Sequence, residues 1–388
     1  MLDMARRARF VIPGGDVRLH HCTGDPGAMT PPDGRRHDVT AATEAGSTAP
    51  SSAAEELARR RHTPAQRIQH LLHSHPAISP ALILVLTAIV FTALNPNFAQ
   101  PNSLSLLVQQ TAVIAALGIG QTLIILTAGI DLSVGAITIL STMVMATLAA
   151  NNGVPGPLAL LIGVLLGLAA GALNGLLVTR LNLPPFIVTL GTLSIFTAIA
   201  LLYSGGQSIQ EQKMPPILNW TGTAIRPFGP GSFYVTTGVV IVILLYLIVG
   251  FALSQTAWGR HVYAVGDDGE ASRLAGIRVN RVLFSVYTVA GAIYGITAWV
   301  LIGRAGAASP NAITDANLSS ITAVVIGGTS LFGGRGGLTG TLLGALIVQS
   351  FATGLSLAGV DAQYRLLAVG ILVIVAVAVD QWIRKVKA

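Results

Sequence analysis

The sequence predicts an all-α membrane protein, a polytopic helical bundle of about ten transmembrane helices. Three observations predict it. Hydrophobic residues fill 52% of the 388 positions and charged residues only 10%, whereas soluble domains carry about 25% charged residues. Mean hydropathy is +0.69. Apolar runs near the ~20 residues that a helix needs to cross a bilayer recur from position 77 to the end of the chain. A chain this poor in charge cannot cover a water-facing surface.

Ten spans are predicted, at 77–94, 104–126, 132–150, 157–178, 185–203, 235–253, 282–302, 318–332, 338–356 and 366–383. Only a Gly129–Asp131 break separates the second from the third. Pro184 and Pro185 open the fifth at its first turn, where a missing N–H costs nothing. The eighth is short and Gly-rich. Ahead of them, residues 1–62 are rich in Pro, Ser, Thr, Ala and Arg, the composition of a disordered tail. No apolar stretch follows the early arginines as a signal peptide requires. The one cysteine, Cys22, lies in this tail. That excludes an intrachain disulfide and a redox pair.

Orientation follows from Lys and Arg, which favour cytoplasmic loops. With the basic tail inside, the inner loops and C-terminal end hold Arg180, Arg260, Arg273, Arg278, Arg281, Arg335, Arg384, Lys385 and Lys387. The outer loops hold Lys213, Arg226, Arg304 and Arg365. Both termini are therefore expected in the cytoplasm. The pI near 10 reflects the tail and these flanking loops rather than nucleic-acid binding, since aromatic interleaving is missing.

Within the spans, Gly163, Gly167, Gly171 and Gly175 repeat every four residues on one helical face. Such a stripe lets helices approach closely, either inside one chain or across a dimer seam. Gly129-Ile-Asp-Leu-Ser-Val-Gly135 and Gly334-Arg-Gly-Gly-Leu-Thr-Gly340 precede the third and ninth spans alike, the pattern of a parallel internal repeat. Asp131 is the one carboxylate near the middle of the first eight spans. An acid at bilayer depth is costly, about 2.5–3.5 kcal/mol on insertion scales. It reads either as the N-cap of the third span or as a substrate or proton site. Gln109, Gln110, Gln121, Thr122, Asn174, Thr189, Thr192 and Thr197 are neutral polar residues inside spans. They suit a polyhydroxylated solute, or hydrogen bonds between helices. Of these, Gln109, Gln121, Asn174, Thr189 and Thr192, with Asp131, form the candidate translocation path.

No ATP site is expected. The stretch from Gly328 to Arg335 imitates a phosphate loop, but Gly334 stands where Lys is required and no strand precedes it. No His, Cys or acid cluster has metal-ligand spacing, so no metal is expected either. What stands out is a polar island at 254–280 between the sixth and seventh spans. Gly259–Gly266 reads as a turn. Asp268–Gly276 reads as a short helix with Asp268 as cap, Glu270 in the first turn and Gly276 as stop. Ala271, Leu274 and Ala275 share one face. The helix has too little apolar bulk to hold a membrane and is suited to docking in a partner's groove.

These residues carry a resemblance. Gly129-Ile-Asp-Leu-Ser-Val-Gly135, Asn174-Gly175, Pro184–Gly191, the Gly259–Ile277 island and Ile326-Gly-Gly-Thr-Ser-Leu-Phe-Gly-Gly-Arg335 resemble the permease subunits of bacterial ribose/xylose/arabinose-type ABC importers. The likeness runs from about Thr63 to Ala388, making 63–388 one permease domain. Asn317, Leu318 and Ser319 stand where many relatives have Glu-Leu-Asp, and Asp267-Asp268 where many have a Gly or Asn pair. With the end from Asp380 to Lys387, these departures look most like the fructose-importing branch.

The resemblance implies a multi-pass protein of the bacterial inner membrane that pairs with a second permease subunit as a homodimer. It implies a periplasmic sugar-binding protein on the outer face. An ATPase subunit on the inner face would use ATP and Mg²⁺, so this chain needs no cofactor of its own. The island matches the family's coupling loop, through Gly259, Arg260, Tyr263, Gly266, Asp267, Asp268, Glu270, Ala271, Arg273, Leu274, Ala275 and Gly276. The expected function is thus the permease of an ATP-driven monosaccharide importer. The rival is a proton- or sodium-coupled carrier, which needs ionisable groups along its path; here Asp131 is the plausible one.

Overall fold

The computed structural model describes residues 78–227, 229–313 and 315–385. They belong to one compact unit, His62–Ala388. The tail expected at 1–62 lies outside the described residues. The helices are α1 (Ile78–Leu94), α2 (Pro101–Leu126), α3 (Val134–Ala150), α4 (Gly156–Arg180), α5 (Pro185–Ser204), α6 (Thr237–Gln255), α7 (Ala257–Asp267), α8 (Gly269–Leu274), α9 (Val279–Ala305), α10 (Ala316–Ile326), α11 (Leu338–Leu357) and α12 (Ala362–Lys385). Helices α2, α4, α5, α6, α9 and α11 are long and apolar enough to cross a membrane, and α1, α3 and α10 are shorter apolar helices. Two small antiparallel pairs fasten the connections. Residues 209–210 pair with 307–308, and 224–225 pair with 235–236.

Helices α2 and α9 form the centre. From Ala115 to Leu126, α2 is buried at every position, and α9 buries Tyr287, Tyr294 and Leu301. By contrast α5 and α6 turn Ile195, Leu202, Leu247 and Phe251 outward. In water these would be a liability. Between lipid chains they meet their own kind.

The glycine stripe of α4 lies against α9 of the same chain. A Cβ on Gly167 would sit 2.6 Å from the Gly291 carbonyl oxygen and 2.8 Å from Gly295 Cα; one on Gly171 would sit 2.8 Å from Gly291 Cα. Of the two readings of that stripe, packing within one chain is the one observed. Around Gly167 and Gly171 no side chain separates the two backbones, so dispersion contacts form there without any ordering of rotamers.

The eighth span is shorter than expected. The apolar run suggested 318–332, but α10 stops at Ile326 because Gly328 takes φ +84°, which the right-handed helix does not allow. Residues 327–337 form a glycine loop instead. At 1.5 Å per residue, the 11 residues of α10 reach only about half-way across a hydrocarbon layer of ~30 Å.

The α4–α9 seam makes a clear prediction. Gly171→Leu should lower folded yield and melting temperature in detergent, because the obstructing atoms are backbone. Overpacking of this kind costs about 1–3 kcal/mol or more. Gly191→Ala, which has nothing within 4 Å of the new methyl, should behave as wild type in the same melting assay.

Candidate functional site

The polar island is two helices, not a turn and a helix. Gly259–Gly266, expected as a turn, lies inside α7. The glycines serve close packing there: a Cβ on Gly259 would run into the Leu253 backbone, and one on Gly266 into the Leu126 carbonyl. Trp258, Val262 and Val265 recur at helical spacing and face the bundle, and the two valines are buried. That periodicity was in the sequence, hidden by the glycines and charges between. Thr256 caps α7, its hydroxyl accepting from Gly259 N at 3.3 Å. The indole of Trp258 donates to Ser285 Oγ at 2.8 Å, fixing α7 to α9. Tyr263 donates its hydroxyl to the Gly336 carbonyl at 3.0 Å, and burial pushes its phenol pKa up. Arg260 and Asp267 point outward.

Helix α8 is held at both ends. Asp268 Oδ1 accepts from Glu270 N at 2.9 Å and Ala271 N at 3.0 Å, a cap worth about 1 kcal/mol. At the far end Gly276 N donates to Arg273 O and Ile277 N to Ser272 O, both at 3.0 Å. With Gly276 at φ +84°, this is a Schellman stop that only glycine makes without strain. Ser272 faces the protein. Ala271, Arg273, Ala275 and Gly276 are exposed, and Leu274 is 87% exposed. The Glu270–Arg273 ion pair at 3.6 Å is solvated and adds little. The element is thus a rigid short helix with an uncovered apolar tip.

Its base rests on a junction made almost wholly of backbone. Gly334 N donates to Leu126 O at 3.0 Å, joining the glycine loop to the end of α2. A Cβ on Gly334 would lie 2.8 Å from Asp267 Cα, and one on Gly333 2.9 Å from Ala128 N. The loop that imitates a phosphate site therefore spends one of its N–H groups on α2. The start of the second Gly-rich break thus packs against the chain just ahead of the first.

From this junction the chain climbs through 127–133 into the bundle. Asp131 is 1% exposed. Its Oδ1 accepts from Ser133 N at 2.7 Å and Ser133 Oγ at 2.6 Å. Asn174 Nδ2 donates to Ser133 Oγ at 2.8 Å, and Thr189 Oγ1 to Ile130 O at 3.1 Å. The expectation that Asp131 caps α3 is corrected. The residue at the cap position is Ser133, which Asp131 braces. The side chain that reaches the free N–H groups of α3 is Asn317, whose Oδ1 accepts from Gly135 N at 2.8 Å. Local reading missed it because it comes from α10, 182 positions away.

The structure therefore brings Asp131, Asn174 and Thr189 together. Thr192 lies one turn on and donates to Val188 O of its own helix at 3.1 Å. Gln121 is buried within α2, and neither of its amide atoms has a partner among the described residues. Gln109 is half-buried further up α2, apart from this network, while its neighbour Gln110 accepts from Gln349 of α11. Tyr287 and Tyr294 of α9 were not anticipated. Both are buried beside the break, with the Tyr287 hydroxyl 3.0 Å from where a Cβ on Gly129 would sit. Among the described residues no group of three or more His, Cys, Asp or Glu could hold a metal.

The junction yields a second prediction. Gly266→Ala should displace α7 from α2, because the methyl meets a fixed carbonyl. Trypsin cleavage after Arg260 or Arg273 of the detergent-solubilised protein should accelerate several-fold, with insertion retained. Unchanged cleavage would count against the packing described.

Comparison with known proteins places this architecture. The profile of the branched-chain amino acid transport system / permease component family matches residues 103–377. The fructose import permease protein FrcC of Rhizobium meliloti is 49% identical over 327 residues, covering 83% of this chain and 90% of its own. The ribose import permease protein RbsC of Bacillus subtilis (strain 168) is 37% identical over 305 residues, 78% and 92% of the two chains. The D-allose transport system permease protein AlsC of Escherichia coli (strain K12) is 35% identical over 304 residues, 78% and 91%. No solved structure matches. With most of its length matched by the profile and by relatives above 30% identity, the chain belongs to the family of branched-chain amino acid transport system permease components, among its sugar-permease relatives.

Proposed function

We propose that this chain forms the membrane path of an ATP-driven monosaccharide importer, with fructose the first sugar to test. The observation that carries the reading is α8. It is a short helix stiffened at both ends, left uncovered, and seated on backbone that leads directly to a buried polar break. Such an element suits a groove on an ATPase subunit. ATP and Mg²⁺ belong to that partner, and a periplasmic binding protein would deliver the sugar to the opposite face. The fructose, ribose and allose permeases it resembles support the choice of substrate class.

The finer assignments are proposals of the same kind. Both termini lie in the cytoplasm, as the Lys and Arg distribution favours, so α7 and α8 face the ATPase. Two copies of the chain pair as a homodimer. Asp131, Asn174 and Thr189 are the candidates to meet the sugar's hydroxyls when the bundle opens. Gln109, Gln121 and Thr192 extend that set along α2 and α5.

Reconstitution decides the main point. Proteoliposomes holding the permease, its ATPase and its binding protein should take up labelled fructose only with ATP. Uptake that needs no ATP and collapses with a protonophore would instead establish a coupled carrier. In the same assay the Arg273→Glu/Gly276→Pro double variant should lose on the order of tenfold or more of its uptake while inserting normally. Proline cannot adopt φ +84° and removes the N–H that closes α8.

A further inference from the structure

Two helices of this bundle begin inside the protein, and their first turns meet. Gly135, in the first turn of α3, and Asn317, in the first turn of α10, share the 2.8 Å hydrogen bond. A Cβ on Gly135 would lie 3.6 Å from Ala316 Cβ. With 11 residues, α10 is too short to cross a hydrocarbon layer of ~30 Å, so its first turn is packed within the bundle. Helix N-termini each carry about half a positive charge. Two of them side by side repel, and their free N–H groups have no lipid partner. Asp131 beside the start of α3 and Asp315 at the cap position of α10 offset that repulsion, and the acceptor shared across the seam is the Asn317 amide.

The seam is also thin. Helix α10 packs chiefly on α11 and α2, whereas α3 packs on α4, α5 and α9. Of the described hydrogen bonds, the one from Gly135 N to Asn317 Oδ1 is what ties α10 to α3. Just below it, residues 127–133 run from the α7 junction to Ser133 at the start of α3. Through Gly266, α7 touches the backbone at Leu126, next to the segment that leads to the seam.

We propose that Asn317 is a positioning residue for transport, the latch that closes the path by holding α3 to α10. Resting closure depends on its side-chain acceptor rather than on its bulk, and movement of α7 releases it. The inference rests on the transport reading above.

The test compares sugar leak from proteoliposomes that hold the permease alone, preloaded with labelled fructose and, separately, ribose. Asn317→Leu keeps the volume and removes the acceptor. Loss of a buried hydrogen-bond partner should speed efflux on the order of tenfold. Asn317→Asp retains an acceptor and should stay as tight as wild type. Gly135→Ala pushes the amide away from the other side and should leak like Asn317→Leu, which guards against misfolding of a single variant. Monodisperse elution of each variant is the folding control. An Asn317→Leu vesicle as tight as wild type, or an Asn317→Asp vesicle equally leaky, overturns the latch. Failure of the importer reading would appear elsewhere, as absent ATP-driven uptake by the wild-type assembly, and would leave the leak comparison between variants intact.

Discussion

Gly167 and Gly171 of α4 meet Gly291 and Gly295 of α9 backbone to backbone. In lipid, apolar helices gain nothing by leaving the solvent for one another. What holds them is packing and the few polar groups they can share. This seam supplies the packing, and it positions the polar groups as well. Asn174 sits one turn beyond Gly171, and Tyr287 stands opposite. Both reach the 129–133 break only because the two axes lie so close. A pair of larger residues here would move Asn174 away from Ser133, and with it the brace on the start of α3.

A second constraint follows from the break itself. Irregular backbone at membrane depth is tolerated only where protein or enclosed water satisfies it. Here satisfaction comes from the break itself, through Asp131 and Ser133, and from three helices: Asn174 from α4, Thr189 from α5 and Asn317 from α10. The acid is used as an acceptor held by its own neighbours. At the other end of the same segment, Gly266, Gly333 and Gly334 let three stretches of backbone approach closely. The polar interior and the junction beneath α7 and α8 are thus the two ends of the short segment 127–133.

Much of this was legible in the sequence because bilayer physics writes long signals. Each predicted apolar run contains a helix, and Asp268 and Gly276 were readable as the ends of α8 because cap chemistry is local. The failures were of two kinds. Residues 259–266 looked like a turn because glycine is an ambiguous sign: the same residue that permits a turn also permits close contact, and contact is a tertiary fact. Asp131 looked like the cap of α3 because it is adjacent in sequence, whereas the acceptor arrives from Asn317 across the fold. The glycine stripe on α4 was plain at its four-residue spacing. Its counterpart on α9 rests on Gly291 and Gly295 alone, too brief to stand out among 43 glycines.

The locked ends of α8 bear on how the partner proposed for it would be recognised. Six residues form no stable helix alone, since nucleation costs more than so few bonds return. Here the cap and the Schellman turn meet that cost during folding, before any encounter. A partner then meets a fixed shape and loses little entropy in taking it. Exchange of the outward residues, Ala271, Arg273, Leu274 or Ala275, changes the key's teeth and leaves its shank alone. On the proposed docking role, a handful of surface substitutions would change the fit to an ATPase with no redesign of the bundle beneath.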